Sequence, residues 1–200
     1  MNVQVKFSDE LQQWVQSDAP KSLGALSEVF EEKTFAVAIM LMMLVAATPI
    51  PTGGIAFVFQ INAAAIAVQM VLGRHTLWIP RRWREHELHG RTVDKAIPFF
   101  IRRVRWLEKY SLPRWASLFG QRFFIRLIGL VLIGFAIAAA LAPPFSGLET
   151  LPGMGGVLVA LAIIFEDIVM LAVGVVIGTG GIVLLITVGA AVVRLIRGIL

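Results

Sequence analysis

Apolar and polar positions alternate in long blocks along this chain. Residues 1–34 are mostly polar, and Ser22 is a good N-cap for a helix with Leu23, Leu26, Val29 and Phe30 on one face and Ser27, Glu28, Glu31 and Glu32 on the other. Such an amphipathic helix suits a membrane surface. A first apolar run, 35–47, has 13 residues, or about 20 Å of helix. That is short of a hydrocarbon core of about 30 Å, so the run reads as a re-entrant or broken helix. It stops at Thr48-Pro49-Ile50-Pro51-Thr52-Gly53-Gly54, where Pro49, Pro51 and Gly53 are the helix-break candidates. A second run, 55–73, is long enough to span but carries Gln60, Asn62 and Gln69. A third, 127–142, extends backward through Phe123 to about one bilayer thickness. A second breaker, Pro143-Pro144-Phe145-Ser146-Gly147, continues to Pro152-Gly153-Met154-Gly155-Gly156. Residues 157–165 are apolar, Glu166-Asp167 interrupt them, and 168–193 run on past Gly178-Thr179-Gly180-Gly181 to the interfacial anchors Arg194 and Arg197. The pattern predicts an all-α, polytopic integral membrane protein with broken or re-entrant helices.

Composition sharpens this expectation. The apolar share is 58%, above the ~45–50% of soluble domains. Charge is sparse and sorted: 13 of the 18 Lys and Arg lie between Arg74 and Arg126, against four acids. A basic block between apolar runs reads as a cytoplasmic loop, and so apolar a chain argues against nucleic acid as its partner. Four of the five Trp (Trp78, Trp83, Trp106, Trp115) lie in this block, beside arginines, as at lipid headgroups. A small cytoplasmic bundle burying the same aromatics is the alternative. Four segments follow: a polar one with an amphipathic helix (1–34), a first membrane unit (35–73), a basic interfacial or cytoplasmic segment (74–122) and a second membrane unit (123–200). No basic tip precedes a short apolar core near the N-terminus, so the first run is expected to stay in the mature protein. With no cysteine, disulfides and thiolate chemistry are excluded.

The two breakers coincide at one offset. Ala46, Pro49, Thr52 and Gly53 fall on Ala140, Pro143, Ser146 and Gly147, each 94 residues later. This suggests a two-fold internal repeat around a shared centre, a design many transporters use. A hairpin in each unit would give parallel repeats, and a single broken crossing in each would give inverted ones.

Three groups could carry chemistry. Glu166 and Asp167 lie inside an apolar stretch, and a charge at the bilayer centre costs about 3 kcal/mol, so such residues face a cavity or a partner. There a carboxylate could carry an ion or a proton. A turn at the surface is the alternative. The breakers, with Pro143, Pro144, Gly147 and the nearby Glu149, would leave free backbone N–H groups that favour anions, unless they are plain extramembrane loops. Asn62, Gln69 and Gly73 can share one helical face, where polar groups more often bond a neighbouring helix than a ligand. Arg74 can meet a lipid phosphate or snorkel. His86-Glu87-Leu88-His89 is one residue short of a zincin spacing, and Gly178-Thr179-Gly180-Gly181 lacks the Lys of a phosphate loop and reads as a helix break or a close-packing site. No nucleophile, base and orienting acid assemble, so neither an enzyme, nor a metal, nor a cofactor is expected.

Thr48-Pro49-Ile50-Pro51 with its Gly-containing turn, Gln69-Met70-Val71-Leu72-Gly73-Arg74 and Trp78-Ile79-Pro80-Arg81-Arg82 resemble the bacterial ExoD family, named for exopolysaccharide synthesis. The Pro143–Gly147 breaker and Glu166-Asp167 fit its second half, so the resemblance covers roughly 22–195. Ile168 departs from it, because a small residue is expected after the acidic pair. The resemblance implies a bacterial inner-membrane protein linked to surface polysaccharide production and, in some members, to tolerance of alkaline conditions.

Two functions are then open. One is a multi-pass transporter or lipid-handling protein, proton- or ion-coupled through Glu166, Asp167 and Glu149, acting on an anionic lipid-linked substrate. The other is a non-transporting scaffold or regulator that recruits polysaccharide synthesis machinery through its basic face. Membrane lipids with anionic headgroups are the expected partners. The 18 glycines and the small unit suggest a homo-oligomer, such as a dimer.

Overall fold

A computed structural model describes residues 23–48, 54–74, 77–78, 115–143 and 146–199, with single positions at 9, 12, 13, 16, 17, 102 and 105. The described residues form helices and no strand. The helices are α1 Leu23–Ala47, α2 Gly54–Val71, α3 Ala116–Phe119, α4 Arg122–Leu141, α5 Thr150–Phe165 and α6 Ile168–Ile199. Pro49, Pro51 and Gly53, Pro144, the His86–His89 stretch and most of the basic segment lie outside the described residues, as do the surface helices expected there.

Local chemistry sets the boundaries. The amphipathic segment and the first apolar run form one helix, α1, of 25 residues, because the Glu and Lys at 31–33 are good helix formers. At its end Thr48 Oγ1 donates to Val45 O at 2.8 Å, and a proline follows. At the end of α4, Ala142 is extended (φ −62, ψ 138) just before Pro143, as that steric restriction requires.

The second breaker is shorter than the sequence suggests. Pro152 to Gly156 lie within α5, since proline is tolerated in a first turn whose amides need no partner. The glycines there serve close packing. A Cβ on Gly153 would sit 2.7 Å from Ala47 N, one on Gly155 would meet the backbone of Gly178, and one on Gly156 would meet Met43 Sδ. Gly178 and Gly181 likewise do not interrupt α6. The Phe135 ring lies against Gly178, and a Cβ on Gly181 would be 2.5 Å from Pro152 Cδ. Small residues four apart let helix backbones approach, as Gly174 and Gly178 do against α5.

These contacts fix the topology. Gly153 at the start of α5 meets the end of α1, while Lys33 of α1 reaches Glu166 just past the end of α5. The two helices are therefore antiparallel. Gly129 of α4 seats on Ala67 and Val71 of α2, and Met70, Gly73, Arg122 and Arg126 line one cavity with Phe35 of α1, so α2 and α4 are antiparallel too. All the helix ends near Phe35 gather at one end of the bundle, hereafter the arginine end. Ala47, Leu141 and Thr150 mark the opposite, breaker end. Phe35, Ile39, Met43, Leu132 and Val159 form the fully buried centre between them.

Among the described residues two helices are long and apolar enough to cross a membrane, Arg122–Leu141 and Ile168–Val192. Within Ile168–Val192 only Leu171, Gly174, Gly178 and Gly181 are buried inside the protein.

Candidate functional site

At the arginine end, α2 closes with a left-handed residue. Gly73 has φ 73, its N–H donates to Met70 O at 3.0 Å, and the Arg74 N–H donates to Gln69 O at 3.2 Å. This pair of bonds is a Schellman motif, which glycine adopts without a Cβ penalty. The freed space is used: the Arg126 guanidinium lies against Gly73, with Nη2 2.8 Å from where a Cβ would be. Its charge also faces the negative end of the α2 dipole.

Arg74, Arg122 and Arg126 line a cavity of ≈ 20 Å³ whose apolar walls are Phe35, Met70 and Ile125. Arg122 and Arg126 are four residues apart and share a face of α4. Among the described residues no carboxylate lines the cavity. Around it the apolar side chains of Leu72, Phe123 and Leu127 are exposed, and the Trp78 N–H donates to Gln69 Oε1 at 2.8 Å.

The other side of the same end is arranged differently. Glu166 ends α5 with φ 55, and its carboxylate lies 3.5 Å from Lys33 Nζ. Asp167, 4% exposed, is the N-cap of α6: its Oδ1 accepts from the N–H of Val169 at 2.9 Å and of Met170 at 3.4 Å. That geometry satisfies amides that the first turn would leave unpaired. The acidic pair is thus a turn at the arginine end.

At the breaker end, the Ser146 N–H donates to Pro143 O at 3.2 Å and Gly147 has φ 72. Glu149 precedes α5, and its buried Oε2 has no hydrogen-bond partner among the described residues. In α2, Gln60 is fully buried with neither side-chain polar atom partnered among those residues.

The expected site residues are therefore dispersed. Glu149 and Glu166 flank the 16 residues of α5, about 26 Å apart along its axis. Asn62 is exposed and bonds its own helix at Val58 O (2.8 Å), whereas Gln69 turns to Trp78. Of the expected candidates only Arg74 lines the cavity; Arg122 and Arg126, which do so with it, carried an i,i+4 signal in the sequence. Among the described residues no group of three or more His, Asp or Glu is placed to hold a metal.

The fold and its ends define an all-helical bundle of paired hairpins with two helices fit to cross a membrane. The chain belongs to the ExoD family: the family model described as "Exopolysaccharide synthesis, ExoD" matches residues 7–187. It is also 26% identical over 133 residues, 66% of this chain, to an uncharacterized protein of Synechocystis sp., and the match spans 62% of that protein's length. No solved structure matches the chain.

Proposed function

We propose that this chain is a multi-pass protein of the bacterial inner membrane that moves or handles an anionic, lipid-linked substrate in exopolysaccharide production, without a catalytic step of its own. The family supports the link to exopolysaccharide synthesis. Membrane insertion is supported by the exposed apolar side chains of α6, such as Val176, Val183 and Ile186, since a soluble protein rarely exposes so large an apolar patch.

One observation carries the transport reading: the start of α5 packs against Gly181, midway along the apolar part of α6. Gly181 is roughly 20 Å from Ile168, and the apolar stretch continues for roughly 18 Å beyond it. If α6 crosses the bilayer, the end of α1 and the start of α5 lie near its midplane, and the hairpins α1–α2 and α4–α5 re-enter the membrane from the arginine end. Irregular backbone at that depth is tolerated where it is buried in protein or lines a water-filled cavity. Arg74, Arg122, Arg126 and Lys33 at one end favour a cytoplasmic orientation for it.

The internal repeat fits this reading. Shifted by 94 residues, the ends of α1 and α2 (Ala47, Val71) fall on the ends of α4 and α5 (Leu141, Phe165). The dominant contacts between hairpins, α1 with α5 and α2 with α4, exchange under that same correspondence. Both hairpins start at the arginine end, which makes the repeats parallel and their axis normal to the membrane.

Single cysteines at Thr48 and Ser146 test the placement, because the chain has no native cysteine. Labelling in intact cells by small thiol reagents, with larger ones excluded, is the expected result. Free labelling by large reagents would make the breakers surface loops, and the scaffold reading would replace this one.

A further inference from the structure

We infer that Arg74, Arg122 and Arg126 form a binding site for the phosphate headgroup of a membrane lipid, of the phosphomonoester or diphosphate class. The inference rests on the proposed membrane setting, because the headgroup must lie at the arginine end.

Charge is the first reason. Arg74, Arg122 and Arg126 line one cavity to which no carboxylate contributes among the described residues, and among those residues none of the three has an ion-pair partner. Two other cations are paired, Lys33 with Glu166 and Arg105 with Asp9 at 3.1 Å. A concentration of three like charges is costly unless an anion joins it. A phosphomonoester or diphosphate carries about two or more negative charges and offers several oxygens to guanidinium forks. A phosphodiester, with a single charge, leaves most of the cluster unbalanced.

Position is the second. Arg126 is held against Gly73, and Arg122 is the first residue of α4, where Gln121 gives no side-chain cap. The free amides of that first turn therefore add to the field at the cavity mouth.

The surroundings choose a lipid over a free anion. The enclosed space, ≈ 20 Å³, holds about one or two waters, so no whole substrate enters and a phosphate would sit at the mouth. Leu72, Phe123 and Leu127, each next in sequence to a lining residue, are exposed. An apolar flank next to a cationic rim matches a headgroup with its chains attached.

The test is native mass spectrometry of the full chain in detergent, with phosphatidic acid as the phosphomonoester, phosphatidylglycerol as the phosphodiester and inorganic phosphate as competitor. Phosphatidic acid should be retained in preference. Arg122→Gln and Arg126→Gln should each weaken its retention by about tenfold, the loss of one charge-assisted contact. Gly73→Ala keeps all three charges but displaces Arg126, and should weaken retention several-fold. The double variant Arg194→Gln/Arg197→Gln, which removes two exposed arginines far along α6, should change nothing. Equal retention of both lipids, equal loss in the double variant, or displacement of phosphatidic acid by inorganic phosphate would each overturn the inference. Free labelling at Thr48 and Ser146 with phosphatidic acid still preferred would end the re-entrant reading and leave this site standing. Protected labelling without that preference would do the reverse.

Discussion

The returning helices of the two hairpins end in the same backbone turn but in opposite chemistry. Gly73 closes α2 at φ 73 and Glu166 closes α5 at φ 55, each followed by an N–H that reaches back five residues, Arg74 to Gln69 O and Asp167 to Ala162 O. Glycine fits this conformation freely, whereas glutamate there costs about 1–2 kcal/mol. The first turn is thus built for space, and an arginine fills it. The second is built for charge: Glu166 meets Lys33, and Asp167 caps the next helix. Among the described residues, one end of the bundle consequently carries cations without an ion pair on its α2–α4 side and a paired one on its α1–α5 side. An anion is drawn to the first side and has little to gain at the second.

The comparison can be broken most forcefully at Gly155, because both turns share one end only while α5 is seated between α1 and α6. Gly155→Leu would drive a side chain into the backbone of Gly174 and Gly178, neither of which can yield. A loss of about 3 kcal/mol is expected, read as a fall in thermal stability of the detergent-solubilised protein. Gly180→Leu, at a position open to the surroundings, should change little. Similar losses in both variants would mean that close α5–α6 contact is not what holds the turns together.

A smaller effect sharpens the role of the second turn. Asp167→Ala removes the N-cap of α6 and should cost about 1 kcal/mol, whereas Asp167→Asn retains an acceptor at the same place and should cost a few tenths. If Asp167 acts only as a cap, the Asn variant keeps its function in exopolysaccharide production. A proton carrier would fail in both variants, since an amide cannot take up and release a proton.

Much of this arrangement was legible in the sequence. The second and third apolar runs became α2 and α4 with boundaries moved by only a residue or two at most ends, because the flanking breakers leave a helix few places to stop. The offset between the breakers reappears in the helix ends. Pro152 to Gly156 were misread, because glycine and proline mark both loops and tightly packed helix starts. Only the partners of Gly153, Gly155 and Gly156 separate the two cases, and they come from α1 and α6, distant in sequence. The acidic pair is open in the sequence between a charge in mid-membrane and a surface turn, because hydropathy alone does not reveal that α5 turns back there. Arg122 and Arg126 blended into a long basic block, and Arg74 joins them only when α2 and α4 lie antiparallel. Gln60 seemed equivalent to Asn62, and burial distinguishes them: one points into the core and the other away from it.

The finest test of the comparison exchanges the chemistry of the turns. Glu166→Gly gives the second turn the residue of the first. It removes the left-handed penalty, worth about 1 kcal/mol, and it also removes the contact with Lys33. That pair is 3.5 Å apart with both side chains 25% exposed, so its contribution should be at most about 0.5 kcal/mol. The variant should therefore gain roughly 0.5 kcal/mol in thermal stability, the difference between strain relieved and pairing lost. Lys33→Met should cost a few tenths of a kcal/mol alone and less in the Glu166→Gly background, the pattern of two coupled groups. A destabilised Glu166→Gly protein would mean that more than Lys33 holds the carboxylate. The second turn would then be a structural anchor rather than a charge-matched return. Because the variant also takes the Glu166 carboxylate away from Lys33, phosphatidic acid retention gives a second reading: a rise would show that Glu166 had kept an anion from that side of the bundle.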